Sequence, residues 1–225
     1  MDNQEKKLPW WYSGTDGPHN WHRFCSIGEN QSPIDIVGAK TKELPEIALS
    51  YSEEPLRLFR ENHTVKAGPF EESSVTLDGA NYQLEEFHFH SPSEHLVSSK
   101  QFALEAHLVH IGEGGDLIVL AVFIVEGTGK KDYEPLIESF ERFGLERDQK
   151  DFILIDPSDF IPRDRAYSTY TGSHTTPPCV EGVKWLVFRD PFELSGPQIE
   201  RLRRVVGENC RPVQPLNGRV IEASF

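Results

Sequence analysis

No stretch of this 225-residue chain nears the roughly 20 consecutive apolar residues that a membrane-spanning helix needs. The longest apolar run, residues 117–125, suits a buried strand. Basic residues are also in short supply: 23 Lys and Arg stand against 36 Asp and Glu, a net charge of −13. Affinity for nucleic acid rests on neutralising phosphates with Lys and Arg, so this balance speaks against a nucleic-acid partner and against an anionic membrane surface. Cysteine is scarce. Cys25, Cys179 and Cys210 lie far apart, so the chain has no CxxC redox or zinc motif. Three buried thiols fit this pattern, and so does one long-range disulfide with a thiol left over. Repeats, low-complexity tracts and the HExxH zinc motif are absent too. The opening MDNQEKKLP is polar and shows no secretory signal, although a mature secreted domain would look the same.

What is present suffices for a sizeable core: 37% of residues are hydrophobic and 11% aromatic. Seventeen Gly and sixteen Pro punctuate the chain evenly, and no break reads as a linker. We therefore expect a single domain over residues 1–225, with 1–9 a flexible N-terminal segment. The segment SSVTLDGANYQL predicts a hairpin turning at Asp78-Gly79. QFALEAHLVHI and DLIVLAVFIV predict two strands around the turn GEGGD, and VKWLVF a further strand. Helical periodicity is confined to residues 133–143 and 195–206, the second with Ser195 as its N-cap and Ile199, Leu202, Val205 and Val206 on one face. The expected fold class is mostly β with surface helices.

Three of the nine histidines fall within EEFHFHSPSEH, residues 85–95. Side chains alternate faces along a strand, so His88 and His90 share one face while Phe87 and Phe89 take the other. An isolated strand histidine is ordinarily a core or surface residue. An HxH pair is different, because two neighbouring imidazoles converge usefully only on a shared ligand. In ALEAHLVH, Glu105, His107 and Val109 share a face, so pairing of the two strands brings His107 to the site. Three neutral imidazoles suit Zn²⁺ and leave a fourth tetrahedral position open, as in catalytic zinc sites. A carboxylate such as Glu105 is the usual partner for the second nitrogen of a ligating imidazole.

These motifs, with GSHTTPPCVEGVKW, WWYSGTDGPHNWHRFC, QSPIDI and NCRPVQPLNGRVIEASF, resemble the α-class carbonic anhydrases, in their bacterial and extracellular form. The resemblance runs from about Trp10 to Phe225. It implies a large, twisted, mainly antiparallel central sheet of about ten strands in a single domain. It also implies zinc-dependent reversible hydration of carbon dioxide to bicarbonate and a proton, by attack of a zinc-bound hydroxide. By the same resemblance His88, His90 and His107 are the metal ligands. Thr175 orients the hydroxide, Glu94 accepts from Thr175, and His63 shuttles the proton to solvent. Thr176 and the apolar residues Val109, Val119, Val183 and Trp185 surround the substrate. Glu105, Asn209, through its carbonyl, and Glu86 support the ligands, and Tyr12 orders the cleft waters. Cys25 and Cys179 form the extracellular members' disulfide, which leaves Cys210 free and implies a periplasmic or extracellular location with the signal peptide removed. The resemblance also implies sulfonamide-type and anion inhibitors and, by analogy with bacterial members, a homodimer. The chain departs from the family at His174, where Leu is usual, at Glu86, where Gln is usual, and at Glu61 and Lys66 around His63. Two rival functions share this sequence: a non-catalytic binding module on the same fold and a zinc-dependent esterase. Retention of all three histidines, Glu94 and Thr175 disfavours the first, and the absence of HExxH disfavours a zinc hydrolase of that kind.

Overall fold

The computed structural model describes residues 10–25, 28–61, 63–146 and 152–225. The expected flexible segment 1–9 lies outside the described residues. In chain order the strands are β1 Asp35–Ile36, β2 Lys40–Thr41, β3 Ile47–Ser50, β4 Glu54–Glu61, β5 Thr64–Gly68, β6 Ser74–Leu77, β7 Ala80–His90 and β8 Leu96–Val97. They continue with β9 Leu104–Gly112, β10 Leu117–Glu126, β11 Phe152–Ile155, β12 Tyr167–Ser173, β13 Glu181–Phe188, β14 Phe192–Leu194 and β15 Glu222–Ala223. Two α-helices, α1 Glu134–Glu146 and α2 Gly196–Val206, accompany them.

Thirteen of the strands form one sheet whose main path runs β11-β4-β5-β7-β9-β10-β13-β12-β15-β2. Most neighbours are antiparallel, but β10 runs parallel to β13 and β14, and β15 runs parallel to β2. The sheet is therefore mixed but mainly antiparallel, as expected, with thirteen strands where about ten were expected. A parallel neighbour demands a crossover. Here the chain between β10 and β13 carries α1 and two further strands, a route that local periodicity does not reveal.

Alternation sets the two faces. On one, Phe87, Phe89, Leu104, Ala106, Leu108, Leu120 and Leu186 join the larger core, with Phe140 of α1 and Leu202 of α2 packed on it. On the other, Val119, Ala121, Val183, Trp185 and Val187 build a smaller core. The register between β7 and β9 shifts between Leu84 and Glu86. This bulge decides the site. Leu84 and Phe87, three residues apart, both reach the larger core, and without the extra residue strict alternation would separate them. Gly68 makes the bulge possible, because a Cβ there would sit 2.5 Å from the Glu85 carbonyl oxygen.

The expected hairpin forms, with Asp78 and Gly79 both at positive φ (52° and 78°), as a two-residue turn of this kind requires. Helix α2 begins where expected. The Ser195 side chain accepts from the Gln198 amide, and the Gln198 side chain returns a bond to the Ser195 amide. Cys25 and Cys179 are disulfide-bonded across 154 residues. Loop-closure entropy puts the stabilisation from such a link at about 5 kcal/mol as an upper bound. Cys210 is a free thiol.

Candidate metal centre and cleft

Strand pairing places His88 directly opposite His107, and His90 opposite Glu105. The three imidazoles converge, with ring centroids 5.0 Å apart for His88 and His90, 5.4 Å for His88 and His107, and 4.5 Å for His90 and His107. One nitrogen from each lies within 4.8 Å of the others. The remaining nitrogens face supporting groups. His90 Nδ1 is 2.7 Å from the Asn209 carbonyl oxygen, to which it can only donate. His107 Nε2 donates to Glu105 Oε1 at 2.8 Å. Glu86 Oε1 is 3.4 Å from His88 Nδ1, a looser contact. The first two partners fix the tautomers of His90 and His107 and turn their other lone pairs inward, whereas His88 Nδ1 makes no well-formed hydrogen bond. His90 Nε2 is buried with no hydrogen-bond partner. Burial pushes the pKa of His90 down to about 4 and that of His107 to about 3, so both are neutral at pH 7 and fit to donate lone pairs.

Glu105 is completely buried and fully engaged. It accepts from the amides of Glu94 and His95, both at 2.8 Å, from His95 Nδ1 at 2.7 Å, and from His107. Burial alone would raise its pKa, but the two imidazoles outweigh burial and hold the carboxyl well below the usual range. His95 extends this network. Its Nε2 lies 2.7 Å from the Tyr170 hydroxyl, which is 2.8 Å from Ser32 Oγ. The QSPIDI segment carrying Ser32 was the only sequence signal for that link.

Glu94 follows β7 in the turn that Glu105 holds. Its Oε1 accepts from the Arg211 amide at 2.8 Å, a contact across 117 residues. Arg211 was not anticipated. Its guanidinium donates to Gln31 Oε1 and the Ser32 carbonyl, which ties the C-terminal segment to the N-terminal one. Glu94 Oε2 lies 3.5 Å from His90 Nε2 and 4.0 Å from His107 Nδ1 and makes no well-formed hydrogen bond. Burial raises the pKa of this carboxyl to about 8, although the Thr175 hydroxyl and the Arg211 amide favour its charged form. A dication held by the histidines would draw it back down.

A cleft of about 260 Å³ opens over this floor. His88, His107, Thr175 and Thr176 line it together with Val109, Val119, Val183 and Trp185, the four residues expected as the apolar wall. Thr175 and Thr176 stand on the loop after β12. That loop is closed by the His174 amide donating to Val180 O, by the Cys179 amide donating to Thr176 O, and by the disulfide. The rim is charged. Lys66 Nζ sits 2.6 Å from Glu61 Oε2 and 2.8 Å from Glu86 Oε1, and His174 joins the same lining. Burial would raise the pKa of Glu86, yet His88 and Lys66 together bring it to about 2.

Two expected residues stand apart. His63 adopts a left-handed backbone conformation (φ 74°), and its Nε2 donates to the Trp10 carbonyl at 2.9 Å. Its ring packs 5.2 Å from Trp10 and 3.7 Å from Trp11, and it is not among the cleft-lining residues. Tyr12 packs on Trp10 and Trp21 and is likewise outside the lining.

A wide mixed sheet bearing three convergent imidazoles at the base of a half-apolar cleft defines the protein's class: an α-carbonic-anhydrase fold with its metal-type centre. The family model for eukaryotic-type carbonic anhydrases matches residues 16–225, and the chain belongs to that family, whose enzymes hydrate carbon dioxide. A carbonic anhydrase of Neisseria gonorrhoeae is 36% identical over 222 residues, covering 94% of this chain and 86% of that one. A carbonic anhydrase of Nostoc sp. is 36% identical, covering 97% and 87%. The α-carbonic anhydrase of Thermovibrio ammonificans, solved with the inhibitor sulfanilamide, superposes with a TM-score of 0.85 at 38% identity, covering 95% of this chain and 98% of that one. Dioscorin complexed with ascorbate superposes at 0.86 with 30% identity, covering 95% and 97%.

Proposed function

We propose that this chain catalyses the zinc-dependent, reversible hydration of carbon dioxide to bicarbonate and a proton. The observation that carries this reading is the set of three neutral imidazoles with lone pairs aimed at one point, His90 Nε2 among them buried and unpartnered. A neutral nitrogen set of this kind fits zinc. Zinc held there by His88, His90 and His107 supplies a Lewis acid that brings water to a pKa of about 7; carbonic anhydrase is itself the source of that figure, taken over rather than derived.

The chain's own groups do the rest. Glu105 and Asn209 hold the rings of His107 and His90 in their tautomers, and Glu86 faces His88 Nδ1 more loosely. Glu94, charged once a dication is near, accepts from Thr175 and turns the threonine oxygen toward the reacting solvent as an acceptor. Val109, Val119, Val183 and Trp185 give an apolar wall beside His107 for a small apolar substrate. Thr176 lies where an anion or sulfonamide would compete. The disulfide supports a periplasmic or extracellular location, where such bonds persist.

Stopped-flow carbon dioxide hydration, read beside a metal assay, tests this. Activity disappears on chelation and returns with zinc. Full activity in protein shown to be free of metal would end the reading.

A further inference from the structure

We propose that His174 is a catalytic residue of this enzyme, the group that takes the proton released in the cleft and passes it to bulk water. The proposal rests on the hydration reading above and goes beyond it. Hydration turns carbon dioxide and water into bicarbonate and a proton, and that proton must leave a cleft whose floor offers it no exit. Among the described residues lining the cleft, the titratable groups are Glu61, Lys66, Glu86, His88, His107 and His174. His88 and His107 are committed to the metal-type centre. Glu61 and Glu86 are held by the single ammonium of Lys66 in ion pairs of 2.6 and 2.8 Å. Only His174 is left.

Its backbone is fixed and its ring is not. The amide donates to Val180 O at 2.9 Å, and the carbonyl accepts from Ser173 Oγ at 2.7 Å. Among the described residues, neither ring nitrogen has a hydrogen-bond partner. His174 immediately precedes Thr175 and is half-buried, so it adjoins the reacting centre and still reaches solvent. Burial lowers its pKa, and Lys66 and His88 lower it further against the opposing pull of Glu86. The ring is therefore neutral at pH 7, with one lone pair to offer. In the transfer, an O–H bond of cleft water breaks and an N–H bond forms on His174. The N–H on the other ring nitrogen then gives its proton to bulk water, and the ring ends neutral. His63 makes a poor relay as it stands here, with Nε2 spent on the Trp10 carbonyl and the ring against two tryptophans.

The test is steady-state hydration by zinc-loaded protein in weak buffer. For His174→Leu and His174→Ala, kcat falls by about tenfold or more. The ratio kcat/KM, which ends at the hydration step, falls far less. Added imidazole restores kcat in His174→Ala, which also shows that the variant is folded. A second readout needs no metal: in ¹⁵N-histidine-labelled metal-free protein, the signal missing from His174→Leu gains its proton at lower pH than a free imidazole does, and at higher pH in Lys66→Met than in the parent. Equal losses in kcat and kcat/KM, no loss in kcat, a larger kcat loss in His63→Ala, or a ring signal that shows no titration would each overturn the relay. Wild-type protein that binds zinc yet hydrates no carbon dioxide would instead defeat the hydration reading beneath it.

Discussion

Glu105 and Glu86 are both carboxylates beside an imidazole of the candidate metal centre, and they live under different rules. Glu105, on the cleft floor, has no contact with water and accepts from two amides and two imidazoles. Glu86, on the rim, is partly exposed and shares Lys66 with Glu61. On the floor, low dielectric makes each bond strong and each loss costly, so the arrangement is close to all-or-none. On the rim, water and a flexible lysine screen every interaction, so substitutions there adjust the site without breaking it.

Removing the floor carboxylate tests that contrast most severely. Glu105→Ala leaves two imidazoles and two amides without a partner, and we expect a loss of about 3–5 kcal/mol in denaturant unfolding. Glu105→Gln, milder, is expected to weaken zinc 10- to 100-fold in a competition titration. A Glu105→Ala protein as stable as its parent would show that the floor is no stiffer than the rim. Thr175→Ala comes next. It keeps the metal-type centre but misdirects the reacting oxygen, and kcat/KM is expected to fall about 10²-fold with zinc affinity retained. Loss of zinc along with activity would instead make Thr175 part of the scaffold.

Metal-free protein probes the floor by pH. His90 and His107, on the floor, have folded-state pKa values lowered by burial to about 4 and 3, and His110, on the opposite face of β9 against Tyr51, is lowered likewise to about 3. Unfolded, they titrate near 6.5 and bind protons first. Their contribution to stability is thus present above about pH 6.5 and is lost as pH falls toward the folded values. The urea midpoint should decline steadily below that pH, and zinc should suppress the decline. A flat midpoint from pH 7 to pH 5 would mean that the rings are already solvated. The smallest effect belongs to the rim. Glu86 as a carboxylate makes His88 more basic, so Glu86→Gln is expected to lower the apparent pKa of the kcat/KM profile. Lys66 offsets much of that charge, which keeps the shift under about one unit. Lys66→Met should move the profile the opposite way, and identical profiles for all three proteins would remove the rim from the chemistry.

Much of this was legible locally. The alternation FHFH placed Phe87 and Phe89 in the core and the histidines opposite, and Glu105 beside His107 announced its partner. The Asp78-Gly79 turn and the Ser195 cap are likewise where short-range chemistry puts them. The bulge at Glu85 was not legible, because an extra residue in a strand looks like any other until its partner strand is known. Nor was Arg211 on Glu94, or His95 on Tyr170, since such pairs depend on which distant segments share a layer. The orientation of His63 belongs with them: motif position suggested a cleft residue, and packing against Trp10 and Trp11 carried it elsewhere.

By itself, then, the order of residues determined the β6–β7 hairpin, strands β9, β10 and β13, the faces of the metal-bearing pair and the identity of its three imidazoles, because side-chain alternation and turn chemistry act over a few residues. Only the tertiary structure decided the mixed topology, which second nitrogen meets which acceptor, and which histidine faces the cleft. Those outcomes turn on long-range register and on the need of every buried polar group for a partner, and no short window of sequence contains either.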